Sequence, residues 1–207
     1  MIRAVLFDVG GVLDVGSGTP STLYKDLYRN VANFLGTELS SARDETGKLI
    51  PRFQRGEINE VEFWKELSYR LKAPLPRNYL GVLQEWYSKK FSLNHGMLDL
   101  AATLKINGYQ NAIISNTIDP HTRVWKPYVE GQFLSIIASS EVGIRKPEEG
   151  IYIYVVRSLK LEKQEGVFID DNEDFLPPAE KAGLVPLLFV STEQVRSELM
   201  KLGVKVD

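Results

Sequence analysis

The chain contains no cysteine, which excludes disulfides, a thiol nucleophile and thiolate metal ligands. The same absence fits a reducing compartment. Histidine is nearly missing too. His95 and His121 are the only two, too few for a multi-histidine metal centre, and neither assembles with a serine and an aspartate into a hydrolytic triad. No apolar run approaches the length of a membrane span. Arg3 is followed by only four apolar residues before Asp8 interrupts, far short of the core of a signal peptide. Charge of one sign does not accumulate: the net charge is −2 over 207 residues, so no global field recruits nucleic acid or an anionic membrane. Neither a phosphate-binding P-loop nor a dinucleotide glycine fingerprint occurs. These absences lead us to expect a soluble, cytoplasmic protein that binds neither nucleic acid nor membrane.

What is present is an alternation. Apolar runs at Ile2–Phe7, Ala112–Ile114, Phe133–Ala138, Val167–Ile169 and Leu187–Val190 read as strands. Several are apolar on consecutive residues, as in a parallel sheet covered on both faces. Helical patterns separate the later ones. Met97, Leu100, Ala101 and Leu104 recur at helical spacing, as do Ile151, Tyr154, Val155 and Leu159 after a first turn at Pro147-Glu148-Glu149. Ser191 with Gln194 reads as a capping box and Gly203 as a helix stop. The expected fold class is α/β, a doubly wound parallel sheet.

Residues 16–94 break the alternation. Helical patterns over Leu23–Leu35, Ala42–Phe53, Val61–Leu71 and Tyr79–Phe91 are separated by Gly36, Gly56 and Pro74/Pro76, with no strand between them. The simplest organisation is an α/β core, residues 1–15 and 95–207, carrying an all-helical insertion at 16–94 after the first strand. Phe63, Trp64, Trp86 and Tyr87 are expected to form the insertion's own core.

Four polar clusters stand at or just after expected strand ends. They are Asp8, Ser115-Asn116-Thr117, Lys146, and the acidic run Asp170-Asp171-Asn172-Glu173-Asp174. In a parallel sheet they converge on one edge, where ligands bind. Taken alone, Asp8 reads as a turn residue or cap, Ser115-Asn116-Thr117 as a polar loop, Lys146 as a surface lysine and the acidic run as a solvated turn, with Asp174 capping the segment that contains Pro177. Together, and in this order, they outline a site for phosphate and a divalent cation.

The same clusters resemble the four signature motifs of the haloacid dehalogenase-like (HAD) hydrolase superfamily. Phe7-Asp8-Val9-Gly10-Gly11-Val12-Leu13 is similar to its nucleophile motif and Ile114-Ser115-Asn116-Thr117 to its phosphate-binding motif. Val142-Gly143-Ile144-Arg145-Lys146-Pro147 is similar to the lysine motif, and Phe168-Ile169-Asp170-Asp171-Asn172 to the acidic metal motif. The helical insertion sits where the family carries its cap. Glu57-Ile58 with Glu62-Phe63-Trp64 looks like the caps of the glucose-1-phosphatase-like and epoxide-hydrolase N-terminal-domain-like branches. The resemblance runs over essentially the whole chain and implies a Rossmannoid core.

It further implies a Mg²⁺-dependent phosphatase acting on a small phosphorylated metabolite such as a sugar phosphate, through an aspartyl-phosphate on Asp8. The implied metal ligands are Asp8, the Gly10 carbonyl and Asp171, with Asp170 beside the metal and Asp174 further out. Ser115 and Asn116 would hold the phosphoryl oxygens, and Lys146 would balance their charge. Tyr24, Arg52, Arg55 and Trp64 are candidate pocket residues; His121 could touch substrate or start a helix at the surface, and His95 falls in the hinge.

One departure matters. Most phosphatases of the family have a second aspartate two residues after the nucleophile, to protonate the leaving group. Here that residue is Gly10. General acid–base help is worth about a hundred- to ten-thousandfold. Three readings follow: a preference for good leaving groups, a substitute such as Asp14, or a binding protein without catalysis. The family's dehalogenases also lack that second aspartate, but they use no metal and largely replace the acidic pair that Asp170-Asp171 retains.

Overall fold

The computed structural model describes residues 1–18 and 20–207. Five strands, β1 (Ala4–Phe7), β2 (Gln110–Ser115), β3 (Ser135–Ala138), β4 (Gly166–Asp170) and β5 (Val185–Leu188), form one sheet in the order β3-β2-β1-β4-β5. Every pairing is parallel. The expected α/β doubly wound sheet is the one observed. β1 lies at its centre, and its side chains alternate cleanly. Val5 and Phe7 join an apolar cluster with α5 (His95–Ile106), α6 (Asp119–Val129) and α10 (Thr192–Lys201). Ala4 and Leu6 join another with α8 (Glu149–Ser158) and α9 (Leu176–Lys181). Each fully enclosed Leu or Phe contributes about 1.5–3 kcal/mol by leaving water, so this two-sided burial fixes the register of the strand that carries Asp8.

Strand limits depart from expectation for identifiable reasons. β2 begins at Gln110, because Asn111, although polar, donates its side-chain amide to the carbonyl of Ala101 at 2.5 Å and so tolerates burial. β5 starts two residues earlier than its apolar run suggests and includes Pro186. Proline is admissible there because β5 is an edge strand, with no ladder partner on its outer side. β3 begins at Ser135, two residues after the expected start. Ser191 caps α10 by accepting from the amide of Gln194, and Gln194 returns its side chain to the amide of Val190 rather than to Ser191. The helix gives way at Leu202 to Gly203 (φ 77°), the expected stop. Asp174 is not a helix cap. Phe175 precedes α9 without a side-chain cap, and Asn172 accepts from the Asp174 amide to open a 3₁₀ turn at Glu173–Phe175 ahead of it.

Between β1 and α5 run α1 (Pro20–Leu35), α2 (Leu39–Gln54), α3 (Glu60–Leu71) and α4 (Val82–Ser88). Leu27, Val31, Leu49, Phe53, Phe63, Trp64 and Leu67 form a separate apolar cluster on α1–α3. α3 opens on a reciprocal capping box between Asn59 and Glu62. The four aromatics singled out from sequence divide. Phe63 and Trp64 are enclosed in this helical cluster, whereas Tyr87 belongs to the cluster against the sheet and Trp86 packs on both. The reason is that α4 lies against α6.

The segment leaves and rejoins the sheet through adjacent backbones. Val15 donates to the carbonyl of Ser92 (2.9 Å) and Asn94 to that of Leu13 (2.8 Å). The Asn94 side chain reaches the carbonyl of Val12 at 3.0 Å. A Cβ at Gly16 would stand 1.9 Å from the carbonyl of Lys90, so only glycine permits this approach. No helix among the described residues is long and apolar enough to cross a membrane.

Candidate active site

The loops after β1, β2 and β4, with the segment following α7 (Ser139–Val142), open on the same edge of the sheet. Lys146 is the centre of what they build. Its side chain is fully enclosed, and its ammonium lies 2.8 Å from Asp8 Oδ1 and 2.5 Å from Asp170 Oδ2. Phe168 and Phe175 present ring faces to it at 5.5 and 5.0 Å. The surface reading of Lys146 is therefore excluded. Burial by itself would lower its pKa, but Asp170 and Asp8 raise it above the ordinary lysine value, so it is held as a cation.

The carboxylates outnumber it. Oxygens of Asp8, Asp170 and Asp171 all lie within 4.8 Å of one another. Three carboxylates against one ammonium leave two negative charges in excess. The strain shows in their titration. Burial pushes Asp8 up to about 7, with Lys146 opposing and Asp170 and Asp171 adding to the rise. Burial and then Asp170 push Asp171 up to about 6. Asp171 Oδ1 is enclosed and accepts no hydrogen bond, an unsatisfied state that ordinarily costs about 1–3 kcal/mol or more for a charged group. Oxygen donors gathered in this way, with one left over, fit a hard divalent cation. Gly11 makes the approach possible: its φ is 77°, and a Cβ there would fall 2.2 Å from Asp171 Oδ2.

Not every candidate joins this cluster. Asp174 is exposed and lies outside the three-carboxylate group. Asp170 spends one oxygen on Lys146 and the other on the amide of Asn172 at 2.9 Å. Asn116 donates to the carbonyl of Lys146 (2.8 Å) and accepts from its amide (2.7 Å). Both polar ends of that side chain are thereby committed to clamping the lysine loop onto the loop after β2. Ser115 is buried at the end of β2, paired in register with Ala138. Gly10 faces open space, since a Cβ there would meet nothing within 4 Å.

A cavity of about 250 Å³ adjoins the cluster, lined by Asp8, Gly10, Ser17, Gly18, Leu23, Tyr24, Asn116, Arg145, Lys146, Asn172 and Phe175. Of the four candidate pocket residues only Tyr24 reaches it. Arg52 is paired with Glu66, Arg55 with Glu148, and Trp64 is enclosed among the helices. Arg145 escaped the sequence reading as a pocket residue because its neighbour Lys146 absorbed the motif. Asp14 is not a free acid. It is fully buried and accepts from the amides of Gly16 and Ser92 and from the hydroxyl of Tyr87. His121 neither lines the cavity nor sits free at the surface: its ring stacks on Tyr87, with centroids 4.2 Å apart. His95 is the first residue of α5, beside the point where the helical segment returns.

A family model described as haloacid dehalogenase-like hydrolase matches residues 2–183. Among curated proteins, the chain is 34% identical to rat (Rattus norvegicus) bifunctional epoxide hydrolase 2 over 63% of its own length and 25% of that protein's. It is 27% identical to the glyceraldehyde 3-phosphate phosphatase of Methanothermobacter thermautotrophicus, over 100% of this chain and 94% of the other. The first three curated relatives, all bifunctional epoxide hydrolases, are much longer proteins, of which the match spans 25–39%. Among solved structures, a HAD-family enzyme from Bacteroides thetaiotaomicron in complex with magnesium and inorganic phosphate superposes with a TM-score of 0.70. That match has 23% identity and covers 91% of this chain and 94% of that one, a likeness of fold.

Proposed function

The chain belongs to the haloacid dehalogenase-like hydrolase family, and from that premise we propose that it is a magnesium-dependent phosphatase of small phosphorylated metabolites. The observation that carries the reading is the buried Asp8–Lys146–Asp170 array beside Asp171 Oδ1, an enclosed carboxylate oxygen with no hydrogen-bond partner.

In this reading Asp8 is the nucleophile. Its carboxylate attacks phosphorus, the bond to the leaving oxygen breaks, and water then cleaves the aspartyl-phosphate, so one hard displacement becomes two easier ones. Lys146 orients Asp8 through the 2.8 Å contact and offsets the charge that gathers there. Asp8, Asp171 and the Gly10 carbonyl would hold the cation, with Asp170 alongside. Bound magnesium would supply neutralisation between the anionic nucleophile and the anionic phosphoryl group. Ser115 and the loop amides after β1 would hold phosphoryl oxygens. Asn116 acts as a positioning residue, keeping Lys146 in register with the β2 loop. Residues 16–94 serve as the cap over a core of 1–15 and 95–207, with Ser17, Leu23 and Tyr24 among the cap side chains that reach the cavity.

The test is phosphate release across a phosphometabolite panel, with and without magnesium, for wild type and Asp8→Asn. Turnover that needs magnesium and disappears in the variant is expected. Silence across the panel would leave a binding protein, and metal-independent halide release from 2-haloacids would make it a dehalogenase.

A further inference from the structure

Position 10 carries no proton donor, and the cavity supplies no replacement among the described residues. Apart from Asp8, its lining contains no carboxyl and no imidazole. Asp14 is fully engaged, and Glu148, the nearest acid in sequence to Lys146, is paired with Arg55 at 2.5–2.9 Å. Tyr24 is the one remaining hydroxyl of acidic type. Burial pushes its phenol above the ordinary tyrosine value, so it keeps its proton at neutral pH, and Gln54 Nε2 already donates to it at 2.8 Å.

The wall does contain a cation with no ion-pair partner among the described residues. Arg145 lines the cavity, and its Nε is enclosed without a hydrogen-bond partner. Among the described residues its guanidinium makes no ion pair, whereas Arg52, Arg55 and Arg70 each sit on a glutamate. Arg145 is close enough to Tyr24 to act on that phenol electrostatically, and Tyr24 also feels Asp8. Arg145 and Tyr24 thus share one cavity wall with Lys146, whose ammonium is already held by Asp8 and Asp170. A partly desolvated guanidinium is costly unless an anion meets it, and its planar fork matches a carboxylate or a phosphate.

We infer that Arg145 takes over at the leaving group what the missing side chain at position 10 would do by proton transfer: it binds the departing oxygen as an anion. The substrates are then phosphoanhydrides or acyl phosphates, whose leaving group is a stable oxyanion. This narrows the phosphatase reading and rests on it. In the first step the Asp8 oxygen bonds to phosphorus, the bridging P–O bond breaks, and its electron pair leaves on a phosphate or carboxylate oxygen held by Arg145, with no proton moved. In the second, water adds to phosphorus, the Asp8 carboxylate departs, and the water's protons stay on the released phosphate.

The experiment compares kcat/KM for pyrophosphate and acetyl phosphate with that for glucose 6-phosphate and phenyl phosphate, in wild type, Arg145→Ala, Arg145→Lys and Asp8→Asn, with magnesium present. Binding of pyrophosphate to Asp8→Asn, with and without Arg145→Ala, is measured by calorimetry. Wild type should favour the anhydrides at least a hundredfold. Arg145→Ala should cut that preference at least tenfold and weaken pyrophosphate binding at least tenfold, and Arg145→Lys should restore part of both. Equal losses on esters and anhydrides, or a wild type that prefers esters, would overturn the inference while leaving the phosphatase intact. No turnover of any substrate, or turnover that survives Asp8→Asn, would instead overturn the phosphatase reading and this inference with it. Melting temperatures of the variants separate loss of fold from loss of contact.

Discussion

The hydroxyl of Tyr87 donates to Asp14 Oδ2 at 2.8 Å, while Asp14 Oδ1 accepts from the amides of Gly16 and Ser92, both at 3.0 Å. One buried carboxylate thus ties together the segment that leaves β1, the segment that leads back into α5, and α4. Tyr87→Phe leaves a buried carboxylate short of one donor and is expected to lower stability by about 1–3 kcal/mol. Asp14→Ala strands several donors at once and should cost more. Urea unfolding of both variants measures this. A loss under about 0.5 kcal/mol for Tyr87→Phe would show that the contact contributes little.

The acidic cluster sets the response to metal and pH. Asp8 and Asp171 bind protons more tightly folded than unfolded, with values near 7 and 6 against an ordinary 3.8. In metal-free protein the folded state therefore holds more protons between about pH 4 and 7, and this part of the stability rises as pH falls through that window. A divalent cation binds the ionised forms and competes with those protons. Magnesium should raise the melting temperature at pH 8, with the increment shrinking towards pH 5. Asp171→Asn should remove most of the increment at every pH. A magnesium shift that does not vary with pH would contradict the assignment.

His121 acts with the opposite sign. Burial holds its imidazole down at about 3 against an ordinary 6.5, and its Nε2 is enclosed without a partner. Below pH 6.5 the unfolded chain gains a proton that the folded one refuses. This contribution is therefore whole above pH 6.5 and is lost as pH falls towards 3, at up to about 1.4 kcal/mol per pH unit. His121→Phe preserves the stacking on Tyr87 and should flatten the acid limb of a stability–pH curve. An unchanged slope would place the acid sensitivity elsewhere.

Neighbouring glycines should behave differently. Gly11→Ala forces a Cβ to 2.2 Å from Asp171 Oδ2 at a φ of 77°, so the variant should lose stability by more than about 1 kcal/mol and bind magnesium poorly. Gly10→Ala meets no atom within 4 Å and should fold as the parent does. Gly10→Asp, whose Cβ meets no atom either, should raise turnover of poor leaving groups, whose departure needs a proton. Thermal melts and ester kinetics check all three.

The sheet was legible because each central strand is apolar on consecutive residues and ends abruptly in a polar one, as Phe7-Asp8 and Ile169-Asp170 do. Pro186 hid the start of β5, since a sequence does not say which strand is the edge. Trp86 and Tyr87 look alike as a buried aromatic pair, yet they part because α4 lies on α6 rather than wholly among α1–α3. Asp14 resembled a spare acid because the residues that occupy it, Tyr87 and Ser92, lie more than seventy positions away. Arg145 and Lys146 are adjacent in one motif, but only the fold distinguishes them: among the described residues the lysine has two carboxylates and the arginine none.

The paired backbones at Val15–Ser92 and Leu13–Asn94 have a further consequence. Because departure and return are fastened to each other, the chain enters and leaves the helical excursion through one closed neck, and beyond it α4 packs on α6. Closing a longer or shorter loop changes the entropy slowly, by about 0.6 kcal/mol per doubling. The turns between α1, α2 and α3 can therefore be trimmed or extended while α4 keeps its place on α6 and Asp8 stays where β1 puts it. The strand end that carries Asp8 is thereby insulated from changes of length among the outer helices.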